Sequence, residues 1–149
     1  AALVYLLISI IRRKSEQMSY LPKVLVVDDD INILAAFEEF LRREHCYMIS
    51  ATTAEEAFKK LQDHRVDLLV TDVRLRLQSG VTFLLHAKGF LPKLPVIVIT
   101  GYPDLITEQD ARSYGADYFF LKPLEIDKLR GAVRKCLNLN NKERLGCST

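Results

Sequence analysis

The chain has 149 residues, 49% of them apolar and 27% charged, and a formal net charge of +2. These values suit one globular domain with a core of its own. They exclude a disordered or collagen-like chain, and such a small charge gives no strong pull toward nucleic acid or membrane.

No basic aromatic stripe is present, so no direct contact with nucleic acid is expected. Cys46, Cys136 and Cys147 lack CxxC spacing. They read as unpaired thiols of a reducing compartment, which predicts a cytoplasmic protein. His45, His64 and His86 lie apart and form no metal-ligand pair.

Residues 1–17, AALVYLLISIIRRKSEQ, differ from everything that follows. Ala1 to Ile11 holds one polar residue, Ser9, and Arg12-Arg13-Lys14 come next. Eleven residues of helix span about 16 Å, against a hydrocarbon core of about 30 Å, which argues against an intact membrane span. A packing or dimerisation helix remains, as does sequence upstream of the domain, with Met18 a natural start. Either way, Ala1–Ile11 is expected to be buried wherever it is ordered, on its own domain or across a symmetric partner in a homodimer.

From Lys23 the pattern is regular. Val24-Leu25-Val26-Val27 is a continuous apolar run ending in Asp28-Asp29-Asp30, which predicts a strand buried on both faces. Ile31 to Glu44 carries apolar residues at helical spacing, with Asp30 as candidate N-cap. Tyr47–Ala51 reads as a second strand. Thr53-Ala54-Glu55-Glu56 is a capping box opening a helix to about Leu61. Asp67–Thr71 is the central strand and presents Asp72 at its end. A helix is predicted from Gly80 to about Lys88, and a fourth strand from Pro95 to Ile99, ending at Thr100-Gly101. Pro103-Asp104 opens a predicted helix to about Tyr114, stopped by Gly115. Asp117–Leu121 is a fifth strand closed by Lys122-Pro123, Glu125 to about Leu137 a last amphipathic helix, and residues 139–149 a polar tail.

Strands alternating with helices imply right-handed βαβ units. The expected fold is α/β and flavodoxin-like: a doubly wound, five-stranded parallel sheet of order 2-1-3-4-5, with residues 18–138 as the domain. Ligands of such sheets bind outside the carboxyl ends of the strands. Those ends carry Asp28 and Asp29, Asp72, Thr100 and Lys122. Clustered carboxylates repel, and a hard cation such as Mg²⁺ compensates them. A lysine ammonium suits a phosphate oxygen, a threonine hydroxyl can donate to one, and a carboxylate can accept a phosphoryl group.

These residues, in this order on these strand ends, resemble the receiver domain of two-component response regulators, over about Lys23 to Leu137. The resemblance implies Asp72 as phosphoacceptor, Asp28, Asp29, Asp72 and the Arg74 backbone carbonyl as Mg²⁺ ligands, Thr100 and Phe119 as switch residues, and Lys122 as the phosphate-pairing lysine. It implies a histidine kinase or phosphotransfer protein as donor in a phosphorelay. An output partner would be met by the surface of the fourth helix of the alternating region, the fifth strand and the last helix. Lys122-Pro123 matches a step that is usually cis. Two positions depart from the family: Arg76 stands where proline is common, and Phe119 lacks the hydroxyl of the frequent tyrosine. The large residues Arg74 and Tyr102 flank the expected line of water attack and predict a slow loss of phosphate.

Two other readings are open to the same residues. In a phosphohydrolase resembling the haloacid-dehalogenase type, Asp28 would be the nucleophile and Asp30 the acid/base, leaving Asp72 without a role. A receiver-like interaction module that is never phosphorylated is the third reading, although every chemical position is filled.

Overall fold

The computed structural model describes residues 1–75 and 79–139, with the backbone alone for residues 17–19. Arg76, Cys147 and the predicted polar tail beyond Leu139 lie outside the described residues. The elements are α1 (Ala2–Tyr20), β1 (Lys23–Val27), α2 (Ile31–Arg43), β2 (Tyr47–Ala51), α3 (Ala54–Asp63), β3 (Leu68–Asp72), α4 (Gly80–Phe90), β4 (Val96–Thr100), α5 (Glu108–Ser113), β5 (Tyr118–Leu121) and α6 (Ile126–Cys136).

The five strands form one parallel sheet of order β2-β1-β3-β4-β5, as the alternation predicts. The unbroken apolar runs follow from burial on both faces. Leu25 and Val27 join Leu69, Val96 and Val98 in a core closed by Ala57 and Leu61 of α3 and by Phe83 and Leu84 of α4. Val24 and Val26 face the other way with Leu68, Val70, Ile97 and Ile99, under Phe37 and Leu41 of α2 and Leu129 and Val133 of α6. Successive strand side chains point to opposite faces, so each strand supplies both cores. Two carboxylates pin the amino ends of the strands: Asp67 accepts from Lys23 N at 2.8 Å, and Asp117 from Val96 N at 2.9 Å.

Helix starts follow their caps. Asp30 accepts from Asn32 N at 2.8 Å, and Thr53 from Glu56 N at 3.1 Å. The returning Glu56 carboxylate takes the N–H of Thr52, one residue earlier than the capping box predicts. Gly115 sits at φ 107° and ends α5 in the left-handed region that glycine tolerates.

One helix begins later than the sequence suggests. The predicted start at Pro103-Asp104 is instead a turn, closed by Leu105 N to the Tyr102 carbonyl at 3.1 Å. That turn drops Ile106 into the core, 4% exposed. Thr107 then caps α5 by accepting from Asp110 N at 3.1 Å, so the helix runs only from Glu108 to Ser113.

At the other end of the chain, Glu44 shows how α2 and α6 are joined. Its nearly buried carboxylate accepts from Arg130 Nε at 2.8 Å and Arg134 Nε at 2.9 Å.

One of the two placements expected for α1 is not met. Residues 1–16 are exposed throughout, Leu3 at 74% and Ile11 at 66%, so the apolar start is not buried on its own domain. Its apolar residues surround the helix axis, and one protein surface can cover only one face of such a helix. Among the described residues no helix is long and apolar enough to cross a membrane.

Removal of residues 1–17 is expected to leave a cooperative thermal transition within about 2 °C of the full chain, because residues 1–16 are exposed throughout. Circular dichroism checks this, and loss of the transition would place the domain boundary inside α1.

Candidate functional site

The strand ends converge as the topology requires. Asp28 and Asp29 follow β1, and Asp72 ends the adjacent β3. Carboxylate oxygens of Asp28, Asp29 and Asp72 all lie within 4.8 Å of one another. Asp28 and Asp72 are buried, whereas Asp29 is exposed. Three such oxygen donors, one open to solvent, fit a hard divalent cation that keeps several waters.

Lys122 holds the cluster together. Its Nζ donates to Asp28 Oδ2 at 2.7 Å and to Asp72 Oδ2 at 2.8 Å. The remaining oxygens are also used: Asp28 Oδ1 accepts from Asp30 N at 2.9 Å, and Asp72 Oδ1 from Arg74 N at 3.1 Å. Burial pushes the Asp28 carboxyl above the usual carboxylate range, and the bond from Lys122 offsets this only in part. Burial also acts to lower the Lys122 ammonium, but its bonds to Asp28 and Asp72 outweigh that and leave it raised. The lysine is therefore firmly charged, while fully buried Asp28 is harder to ionise than an ordinary aspartate.

Local backbone geometry sets this arrangement. Lys122 N donates to the Thr100 carbonyl at 2.8 Å, which ties the end of β5 to the end of β4. The Lys122-Pro123 bond is cis, matching the step the resemblance implies. Behind Asp72 the chain turns back so closely that Gly80 N donates to the Val73 carbonyl at 2.9 Å. A Cβ at Gly80 would overlap the Asp72 carbonyl oxygen and the Val73 backbone, so this position requires glycine for space.

The other predicted residues lie outside the carboxylate cluster itself. Thr100 is buried at the end of β4, and its hydroxyl oxygen accepts from Tyr102 N at 2.9 Å. Phe119 is half-buried and packs on the core facing α3 and α4. Arg74 and Tyr102 follow the ends of β3 and β4 and meet: the Arg74 guanidinium lies 4.4 Å from the Tyr102 ring centroid. Asp30 is exposed and occupied as the α2 cap, which disfavours it as the acid/base of a dehalogenase-type site. Sequence reasoning missed Gly80. The only local signal is glycine at the first turn of α4 after Ser79, which reads equally well as a loop end.

The fold and site thus define an α/β domain with an acidic, lysine-bridged centre at the point where strand order reverses. Residues 24–134 match the response regulator receiver domain, and the chain belongs to that family. It is 30% identical over 119 residues to sporulation initiation phosphotransferase F of Bacillus subtilis, covering 80% of this chain and 96% of that protein. It is 31% identical over 114 residues to the transcriptional regulatory protein ZraR of Escherichia coli, covering 76% of this chain and 26% of ZraR. The chain therefore spans about a quarter of the ZraR-type relatives it matches. Response regulator protein TrrA of Thermotoga maritima, solved in complex with Mg(2+)-BeF, superposes with a TM-score of 0.72 at 27% identity, over 78% of this chain and 100% of that one.

Proposed function

We propose that this receiver domain accepts a phosphoryl group on Asp72 from the phosphohistidine of a histidine kinase or phosphotransfer protein. The observation that carries the proposal is the Lys122 ammonium bound to both Asp28 and Asp72 at the switch point of the sheet. An Asp72 carboxylate oxygen forms a bond to phosphorus as the P–N bond of the donor breaks, and the imidazole keeps the electron pair. Lys122 is placed to pair with the phosphoryl oxygens once the group arrives.

Asp28, Asp29, Asp72 and the Arg74 carbonyl are the proposed holders of Mg²⁺, which when bound supplies positive charge to the transferring phosphoryl oxygens. A cytoplasmic location follows from the proposed donor.

The proposed response uses Thr100 and Phe119. To reach a phosphoryl oxygen, the Thr100 hydroxyl must turn from the Tyr102 N–H, and half-buried Phe119 is the aromatic side chain able to repack beside it. The surface of α5, β5 and α6 would then carry the change to an output partner. Exposed Leu121 of β5 and Ile126 of α6 already lie on those elements.

Intact mass after incubation with a small phosphodonor and Mg²⁺ is expected to show one added phosphoryl group in the wild type and none in Asp72→Asn. An equal mass gain in the variant would refute Asp72 as the acceptor. Arg74 and Tyr102, in contact across the loops leaving β3 and β4, are proposed to narrow the approach of water to the acceptor. Decay of the phosphorylated protein is expected to be about tenfold faster in Arg74→Ala, Tyr102→Ala, because in-line water is then less obstructed. Equal or slower decay in the double variant would show that the pair does not shield the phosphate.

A further inference from the structure

Two buried charge contacts join the same two stretches of chain at opposite ends of the domain. At the carboxyl end of the sheet, Lys122 after β5 donates to Asp28 after β1 at 2.7 Å. At the other end Glu44 caps α2, and each of its carboxylate oxygens takes one arginine of α6. Oε1 accepts from Arg130 Nε at 2.8 Å and Oε2 from Arg134 Nε at 2.9 Å. β1 and β5 are not neighbours, since β3 and β4 lie between them. The helices that follow the two strands, α2 and α6, therefore carry the connection.

The two contacts differ in what can release them. Lys122 stands at the acceptor, where phosphate oxygens can replace its carboxylate partners. The Glu44 side chain is 7% exposed and lies at the far end of α2, where no incoming group replaces its arginines. Parting them would leave a buried charge without compensation. Phe37, Phe40 and Leu41 of α2 also share a core with Leu129, Ala132 and Val133 of α6. α5 is held far more lightly. It runs only from Glu108 to Ser113, Ala111 is its one buried residue, and residues 101–105 before it are exposed. Elements with so little burial are the ones that open and shift most readily.

We propose that Glu44 locks α2 and α6 into one body that keeps its shape when the acceptor site is filled. α6 is then the fixed side of the output surface, and α5 is the side that moves. The movement of α5 rests on Asp72 as the acceptor, whereas the lock does not.

Double electron–electron resonance tests this, with spin labels at exposed Glu38 of α2, Gln109 of α5 and Lys128 of α6. The labels are carried on unnatural amino acids, so that the native cysteines stay. Mg²⁺ with beryllofluoride, a phosphoryl mimic, is expected to change the 38–109 distance by about 2 Å and the 38–128 distance by less than about 1 Å. In Glu44→Gln the 38–128 distribution should broaden at rest and shift on filling. Arg134→Gln keeps the Arg130 bond and should show the same effect to a lesser degree, which provides the test should Glu44→Gln not fold. A wild-type 38–128 distance that moves as far as 38–109 overturns the proposal, as do variants whose distributions match the wild type. Beryllofluoride that binds, seen by fluorine NMR, and leaves 38–109 unmoved overturns it too. Beryllofluoride that does not bind counts against Asp72 as the acceptor, and the widths at rest in the two variants then decide the lock.

Discussion

The site depends on one ammonium group between two carboxylates. Lys122 reaches Asp28 across 94 residues of sequence and Asp72 across 50. Without that charge, buried Asp28 and Asp72 would face one another and exposed Asp29 with nothing to balance them. The sheet delivers the lysine: β5 lies beside β4, and the Lys122 N–H is fixed to the Thr100 carbonyl. The bridge therefore records the strand order β2-β1-β3-β4-β5 as much as it records any chemistry.

The same bridge explains how one site could rest in one state and respond in another. A phosphoryl group and a cation would bring their own charges, and Lys122 would exchange carboxylate partners for phosphate oxygens. Thr100 is poised in the same sense, since its hydroxyl oxygen is held by the Tyr102 N–H and has no other hydrogen bond among the described residues. The Thr100 carbonyl accepts the backbone bond that positions Lys122, so a shift of the Thr100 backbone would be felt there. In the proposed response a small rearrangement there would pass on to half-buried Phe119, because a packed core deforms poorly.

Much of this was legible in the amino-acid sequence, for identifiable reasons. Strands buried on both faces leave unbroken apolar runs, and helices with one apolar side leave a 3.6-residue period. Asp28, Asp29, Asp72, Thr100 and Lys122 could be placed because they end such runs, where the position of a side chain follows from the element alone. Features made by tertiary approach left no such mark. Nothing near Gly80 announces that the Asp72 carbonyl will press against it, and nothing near Glu44 announces arginines 86 and 90 residues away. The opposite burial of Asp28 and Asp29 is equally invisible in a run of three aspartates. The early start expected for α5 failed because a proline and an acid resemble a helix opening, while the burial of Ile106 decides where the chain can begin to turn. α1 does not pack on its own domain because its all-round apolar pattern offers no single face to dock there.

The most direct measurement is the Mg²⁺ affinity of a Lys122→Met variant beside the wild type, by calorimetry, with phosphorylation followed on the same samples. If Lys122 supplies the charge that holds the carboxylates together, its removal leaves them with less competition for a cation, and Mg²⁺ should bind about tenfold more tightly or better. Phosphoryl transfer to Asp72 should fall at the same time. Unchanged Mg²⁺ affinity, or transfer that proceeds as in the wild type, would contradict a site organised by the lysine bridge.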